Sequence, residues 1–110
     1  MTLQELQNLI LQQAKDKDWG VIPQDIIFAE KLALIHQELS EALAAYRGGQ
    51  MTGKDGVAEE LADVVMRVMH LAGIYSFDLE SEILKKIEVN KTRDWSKDQL
   101  YIDRDNRAKN

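Results

Sequence analysis

The chain has 110 residues, enough for one domain, with 19 acidic against 14 basic side chains and a formal net charge of −5; that balance excludes nonspecific attraction to nucleic acid. It has no cysteine, which excludes disulfides, thiolate chemistry and cysteine-built zinc sites, and no apolar run near the roughly 20 residues of a membrane span. One proline and six glycines leave few places to turn, so a few long helices are expected rather than many strands. The opening residues, Met1 to Glu5, lack the basic and apolar regions of a signal peptide. A soluble, cytoplasmic, all-α protein is the expectation, with no membrane partner and no nucleic-acid partner.

Thr2 and Glu5 form a capping-box pattern that opens the first helix. Leu3, Leu6, Leu9 and Ile10 then recur at helical spacing, and Asp18-Trp19-Gly20 reads as the stop. Pro23 introduces a second helix, expected over residues 24–47, with Ile27, Leu34, Ile35, Leu39, Leu43 and Tyr46 on a broad apolar side. Gly48-Gly49 ends it, and residues 48–56, with four of the six glycines, form the one clear internal loop. A third helix over residues 57–74 is apolar almost all round, and such a helix needs cover on every side. Four helices in so short a chain bury one of their number poorly, so a homo-oligomer is expected. Asp78 is placed to cap a fourth helix running to about residue 91. Residues 1–94 thus read as a four-helix bundle-like domain. Residues 95–110 read as a polar tail whose Trp95, Leu100, Tyr101 and Ile102 could dock on a neighbour.

Two acidic phrases stand out: Glu38-Leu39-Ser40-Glu41 and Glu60-Leu61-Ala62-Asp63. Within each, the carboxylates are three residues apart and share a helix face, so two antiparallel helices could aim four acids at one point. A single such pair is usually solvated surface. Glu60 and Asp63, however, lie in an otherwise apolar helix, where an unpaired carboxylate is costly. A hard cation held by oxygens would relieve that cost. The competing reading is internal pairing with Arg67, which follows Asp63 by four residues; one arginine cannot neutralise four acids. Glu59 points about 100° from Glu60, and His36 about 160° from Glu38, so both are left out of the site.

Lys86, Asn90 and Arg93 follow one side of the fourth helix. They suit a polyphosphate, or alternatively complement the dipole of the helix end. Trp19 could stack on a nucleobase or anchor the corner between the first two helices. His70, two turns beyond Asp63, reads as packing or pairing within the bundle.

Glu38-x-x-Glu41, then Glu60-x-x-Asp63, then Lys86-x-x-x-Asn90-x-x-Arg93 resembles the MazG-like all-α nucleoside triphosphate pyrophosphohydrolases, over roughly residues 2–94. The resemblance implies hydrolysis of an NTP or dNTP between the α and β phosphates, giving a monophosphate and pyrophosphate. It implies that Glu38, Glu41, Glu60 and Asp63 hold Mg²⁺, with Mn²⁺ as a substitute, and are the catalytic carboxylates. One of them, or a water acidified by the metal, would supply the nucleophile. Lys86, Asn90 and Arg93 would hold the phosphates, and the protein would be a dimer or tetramer. Asp94-Trp95-Ser96-Lys97-Asp98 departs from the basic, glycine-containing tail of such proteins. The reading from another class is a non-catalytic helical oligomerisation or regulatory module with a metal-stabilised or arginine-paired acidic core.

Overall fold

The computed structural model describes residues 1–94; the expected tail, with Trp95, Leu100, Tyr101 and Ile102, lies outside the described residues. Within that span the chain is all-α, with no strand: α1 (Leu3–Asp16), a 3₁₀ turn (Pro23–Asp25), α2 (Phe28–Arg47), α3 (Val57–Ile74) and α4 (Leu79–Thr92). The chain divides into two compact units, Met1–Glu80 and a second beginning at Ser81. The described part of the second unit is most of α4, none of whose residues is buried.

The Thr2 capping box forms as the sequence predicts: Glu5 N–H donates to Thr2 Oγ1 at 3.0 Å, and Thr2 N–H donates to Glu5 Oε1 at 3.3 Å. The ends of α1, α2 and α3 share one device. In each, a residue in the left-handed conformation follows the cap (Asp18, Gly49 and Ser76, φ +59°, +75° and +56°). The next residue's N–H then reaches back to close the helix: Trp19 to the Ala14 carbonyl, Gln50 to Ala45, Phe77 to Ala72, each at 2.9 Å. These closures satisfy carbonyls the helices leave open and fix the direction in which the chain departs.

The second helix begins four residues later than expected. Val21 N–H donates to the Asp25 carboxylate at 3.1 Å, which closes a local turn around Pro23, and Ile26 and Ile27 stay extended before Phe28. Two adjacent β-branched residues favour that extended link.

α3 is the central element of the first unit, packed along α2 on one side and α1 on another. Both neighbours run antiparallel to it. Phe28, opening α2, meets Tyr75 just past the end of α3 edge to face, with centroids 5.3 Å apart, and Tyr75 stacks on Phe77. Gln7 of α1 donates through Nε2 to the Phe77 carbonyl at 3.0 Å, and Leu11 lies against Gly73. The core combines small residues at close approaches (Ala14, Ala42, Ala72) with Ile10, Met69, Leu71 and Ile74. It is modest, and the broad apolar side expected of α2 is divided: Leu39, Leu43 and Tyr46 face outward, while Ala42 and Glu38 are buried.

The 48–56 loop delivers the start of α3 with little freedom. Val57 and Ala58 N–H groups donate back to the Gln50 and Met51 carbonyls, and the Gly56 carbonyl accepts from Glu60 N–H at 3.0 Å. A Cβ on Gly56 would stand 2.6 Å from the Thr52 carbonyl oxygen, which is backbone and cannot swing aside. Gly56→Ala is therefore expected to cost about 1–3 kcal/mol, the scale of overpacking a tight site, measured by urea unfolding; unchanged stability would mean the loop is not held by that approach.

Candidate metal centre and adjoining cavity

Antiparallel packing of α2 on α3 sets Glu38 and Glu41 opposite Glu60 and Asp63. Glu38, Glu60 and Asp63 each bring a carboxylate oxygen to one place, all within 4.8 Å of one another. Glu41 stands at the rim: it is exposed, and its Oε1 accepts from Gln37 Nε2 at 3.4 Å, although its charge still acts on Glu60. The four acids of the two sequence phrases are thus a tight set of three with a fourth beside it.

Glu38 and Glu60 are each only 8% exposed, although they carry carboxylates. Arg67 Nε donates to Glu38 Oε1 at 2.8 Å, so the arginine pairs across to α2 rather than with Asp63 on its own helix. Glu38 Oε2 and Glu60 Oε2 are buried and meet no N–H or hydroxyl donor, so the hydrogen bonds left to them run among the carboxyls of Glu38, Glu41 and Glu60. A buried acceptor without a donor loses its water and gains nothing in return.

The two acids respond oppositely. The Arg67 hydrogen bond holds the Glu38 carboxyl below its ordinary range, against the opposing effect of burial. Burial, reinforced by the negative charges of Glu41, Asp63 and Glu38, pushes the Glu60 carboxyl up. A divalent cation would reverse the balance at Glu60, and Glu38, Glu60 and Asp63 could hold one. Octahedral Mg²⁺ with bonds of about 2.1 Å spans oxygens up to roughly 4.2 Å apart, a span of the same order as the 4.8 Å within which the three oxygens lie. An all-carboxylate site suits Mg²⁺ or Mn²⁺.

Glu38 and Asp63 also line a cavity of about 570 Å³ that lies wholly within the first unit. Ile10 and Gln13 of α1, and Met66 of α3, form part of its wall. Trp19 lies at its edge, 53% exposed, so it is not a buried corner anchor. The α1 closure sets its backbone there, through Trp19 N–H to the Ala14 carbonyl. His70 lines the same cavity and its Nε2 lies 2.8 Å from the Gly20 carbonyl oxygen. A carbonyl only accepts, so Nε2 carries the proton. His70 thus ties the Trp19-Gly20 turn to α3, in keeping with a pairing role.

Lys31 and Arg67 complete the lining, and neither is among the site residues expected from sequence. Lys31 precedes Glu38 by seven residues, two turns along one face of α2, and that spacing was the available signal. Lys86 and Asn90 lie one turn apart on α4, and Arg93 N–H extends its last turn by donating to the Val89 carbonyl at 3.1 Å. All three belong to the second unit, described by itself. There Lys85 and Lys91 pair with Glu82 and Glu88 one turn back, whereas Lys86 makes no ion pair among the described residues. No helix among the described residues is long and apolar enough to cross a membrane. No protein-family model, no curated protein and no solved structure matches the chain.

The raised Glu60 carboxyl has a definite stability signature. The metal-free folded state holds that proton more tightly than the unfolded chain, so ionising Glu60 costs stability as pH rises from the ordinary carboxylate value through the raised one. Glu60→Gln is expected to raise the melting temperature in chelator at neutral pH, with the gain vanishing in acid, where Glu60 is already protonated. An E60Q melt below wild type at neutral pH in chelator would overturn the assignment of strain to this carboxylate.

Proposed function

We propose that the protein is a Mg²⁺-dependent nucleoside triphosphate pyrophosphohydrolase, adding water across the α–β anhydride of an NTP or dNTP to give the monophosphate and pyrophosphate. The observation that carries this reading is the pair of buried, unpartnered oxygens, Glu38 Oε2 and Glu60 Oε2, within a three-carboxylate set at the edge of a cavity. Such a pair is poorly accounted for as solvated surface and well accounted for as waiting ligands. The resemblance to MazG-like enzymes rests on these same residues, and it supplies the reaction.

Glu38, Glu60 and Asp63 would hold the cation, with Glu41 joining from the rim. When bound, the cation would neutralise phosphate charge and acidify water. Lys86, Asn90 and Arg93 are proposed as phosphate ligands, and Trp19, exposed beside the cavity, as the surface on which the base stacks. The cysteine-free composition suits a reducing compartment such as the cytoplasm.

A dimer or tetramer is part of the proposal. Leu39, Leu43 and Tyr46 lie about 80–140° round α2 from Glu38, and Leu61 and Val65 about 100–140° round α3 from Glu60, in the same sense. In an antiparallel pair those stripes share one side of the molecule, and all five residues are between 46% and 63% exposed. An apolar face of that kind marks an association surface.

One observation favours the non-catalytic reading, an arginine-paired acidic core: Arg67 does pair with Glu38. It leaves Glu60 without a cation. Turnover decides between the two. Wild-type protein with Mg²⁺ and each NTP and dNTP is expected to release monophosphate and pyrophosphate. Glu41→Gln and Asp63→Asn should each lower kcat/KM on the order of a hundredfold, the scale of losing one electrostatic contact to a transition state, with the melt preserved. No hydrolysis of any nucleotide by folded wild type would leave the non-catalytic module. Separately, Leu43→Glu should shift the mass measured by light scattering to that of one chain; an unchanged mass would move the interface elsewhere.

A further inference from the structure

The cavity beside the acids is lined at the same time by two cations, Lys31 from α2 and Arg67 from α3. Each stands seven residues from a cluster carboxylate on its own helix, Lys31 before Glu38 and Arg67 after Glu60, and so on nearly the same face. With α2 and α3 antiparallel, both cations fall on the same side of the carboxylates. The cavity therefore has a polarity, with acids at one end and bases next to them.

Neither cation is used up by the acids. Arg67 spends Nε on Glu38 Oε1, and its terminal nitrogens make no hydrogen bond among the described residues. Lys31 is only partly exposed, shares a cavity with two carboxylates, and makes no ion pair among the described residues. Lys31 lines the pocket without pairing to its acids, and Arg67 engages them through Nε alone, which leaves donors of both cations for an anion. A guanidinium whose Nε is anchored presents its remaining N–H groups as a planar fork suited to phosphate oxygens.

We propose that Lys31 and Arg67 form a phosphate-binding wall within the first unit, taking non-bridging oxygens of the triphosphate beside the metal carboxylates. This rests on the hydrolase reading and adds to it two binding residues besides Lys86, Asn90 and Arg93. In this arrangement Arg67 has two tasks: its Nε holds Oε1 of the Glu38 carboxylate, and its terminal nitrogens meet the substrate. Lys31 has the second task alone.

The test uses the full chain, with Mn²⁺ binding read by electron paramagnetic resonance and inorganic tripolyphosphate binding by calorimetry. Wild type is expected to bind Mn²⁺ alone and to bind tripolyphosphate in its presence. Lys31→Gln touches no carboxylate, so it should leave Mn²⁺ affinity unchanged and weaken tripolyphosphate about tenfold or more, as for loss of a charge-assisted hydrogen bond. Arg67→Lys, keeping the charge without the fork, should weaken it less than Arg67→Gln. Undiminished tripolyphosphate affinity in both K31Q and R67Q, with Mn²⁺ bound as in wild type, would overturn the wall and leave the hydrolase reading standing. Wild type binding neither Mn²⁺ nor tripolyphosphate would overturn both.

Discussion

Two carboxylate oxygens buried between α2 and α3 without a donor set the terms for this protein. Folding strips them of water, and the chain offers one compensating bond in return, from Arg67 to the other oxygen of Glu38. That bond keeps Glu38 ionised and leaves Glu60 to hold its proton more tightly than usual. The protein's own groups therefore leave this acidic set without full electrostatic compensation. A divalent cation would satisfy both oxygens together, and that fit is what supports the proposed metal site.

The frame around those oxygens is built to hold them still. α3 carries Glu60, Asp63 and Arg67 on successive turns, and the 48–56 loop delivers its first turn with Gly56 pressed against Thr52. At the other end, the aromatic contact of Phe28 with Tyr75 clamps the start of α2 to the end of α3, so the two helices meet in a fixed register. α1 closes the cavity from a third side, and its terminal turn sets Trp19 at the edge. Small residues in the core allow close helix approach, which trades apolar volume for position.

Much of this was legible in the residues. Apolar spacing, the Thr2–Glu5 box and the Gly48-Gly49 stop mark α1, α3 and the end of α2, because caps and helical periodicity are local and do not depend on partners. The start of α2 was not legible in the same way. Asp25 turns its side chain back to Val21, a competition between side chain and backbone that propensity alone does not resolve. The stripe of Leu39, Leu43 and Tyr46 shows a similar limit: periodicity finds an apolar side without saying which neighbour covers it.

The sequence by itself determined the helices apart from the start of α2, and the sharing of one face within each acidic phrase, since three-residue spacing on a helix admits no other arrangement. Only the tertiary structure decided how the four acids divide. Glu38, Glu60 and Asp63 converge while Glu41 stays at the rim, because rotation and register between two helices are set by packing across them. It likewise decided that Arg67 crosses to Glu38 and that Lys31 and Trp19 line one cavity with the acids. Those residues are far apart in sequence, and no local rule couples them. The acidic phrases thus became a charged cavity through contacts that only the folded chain makes.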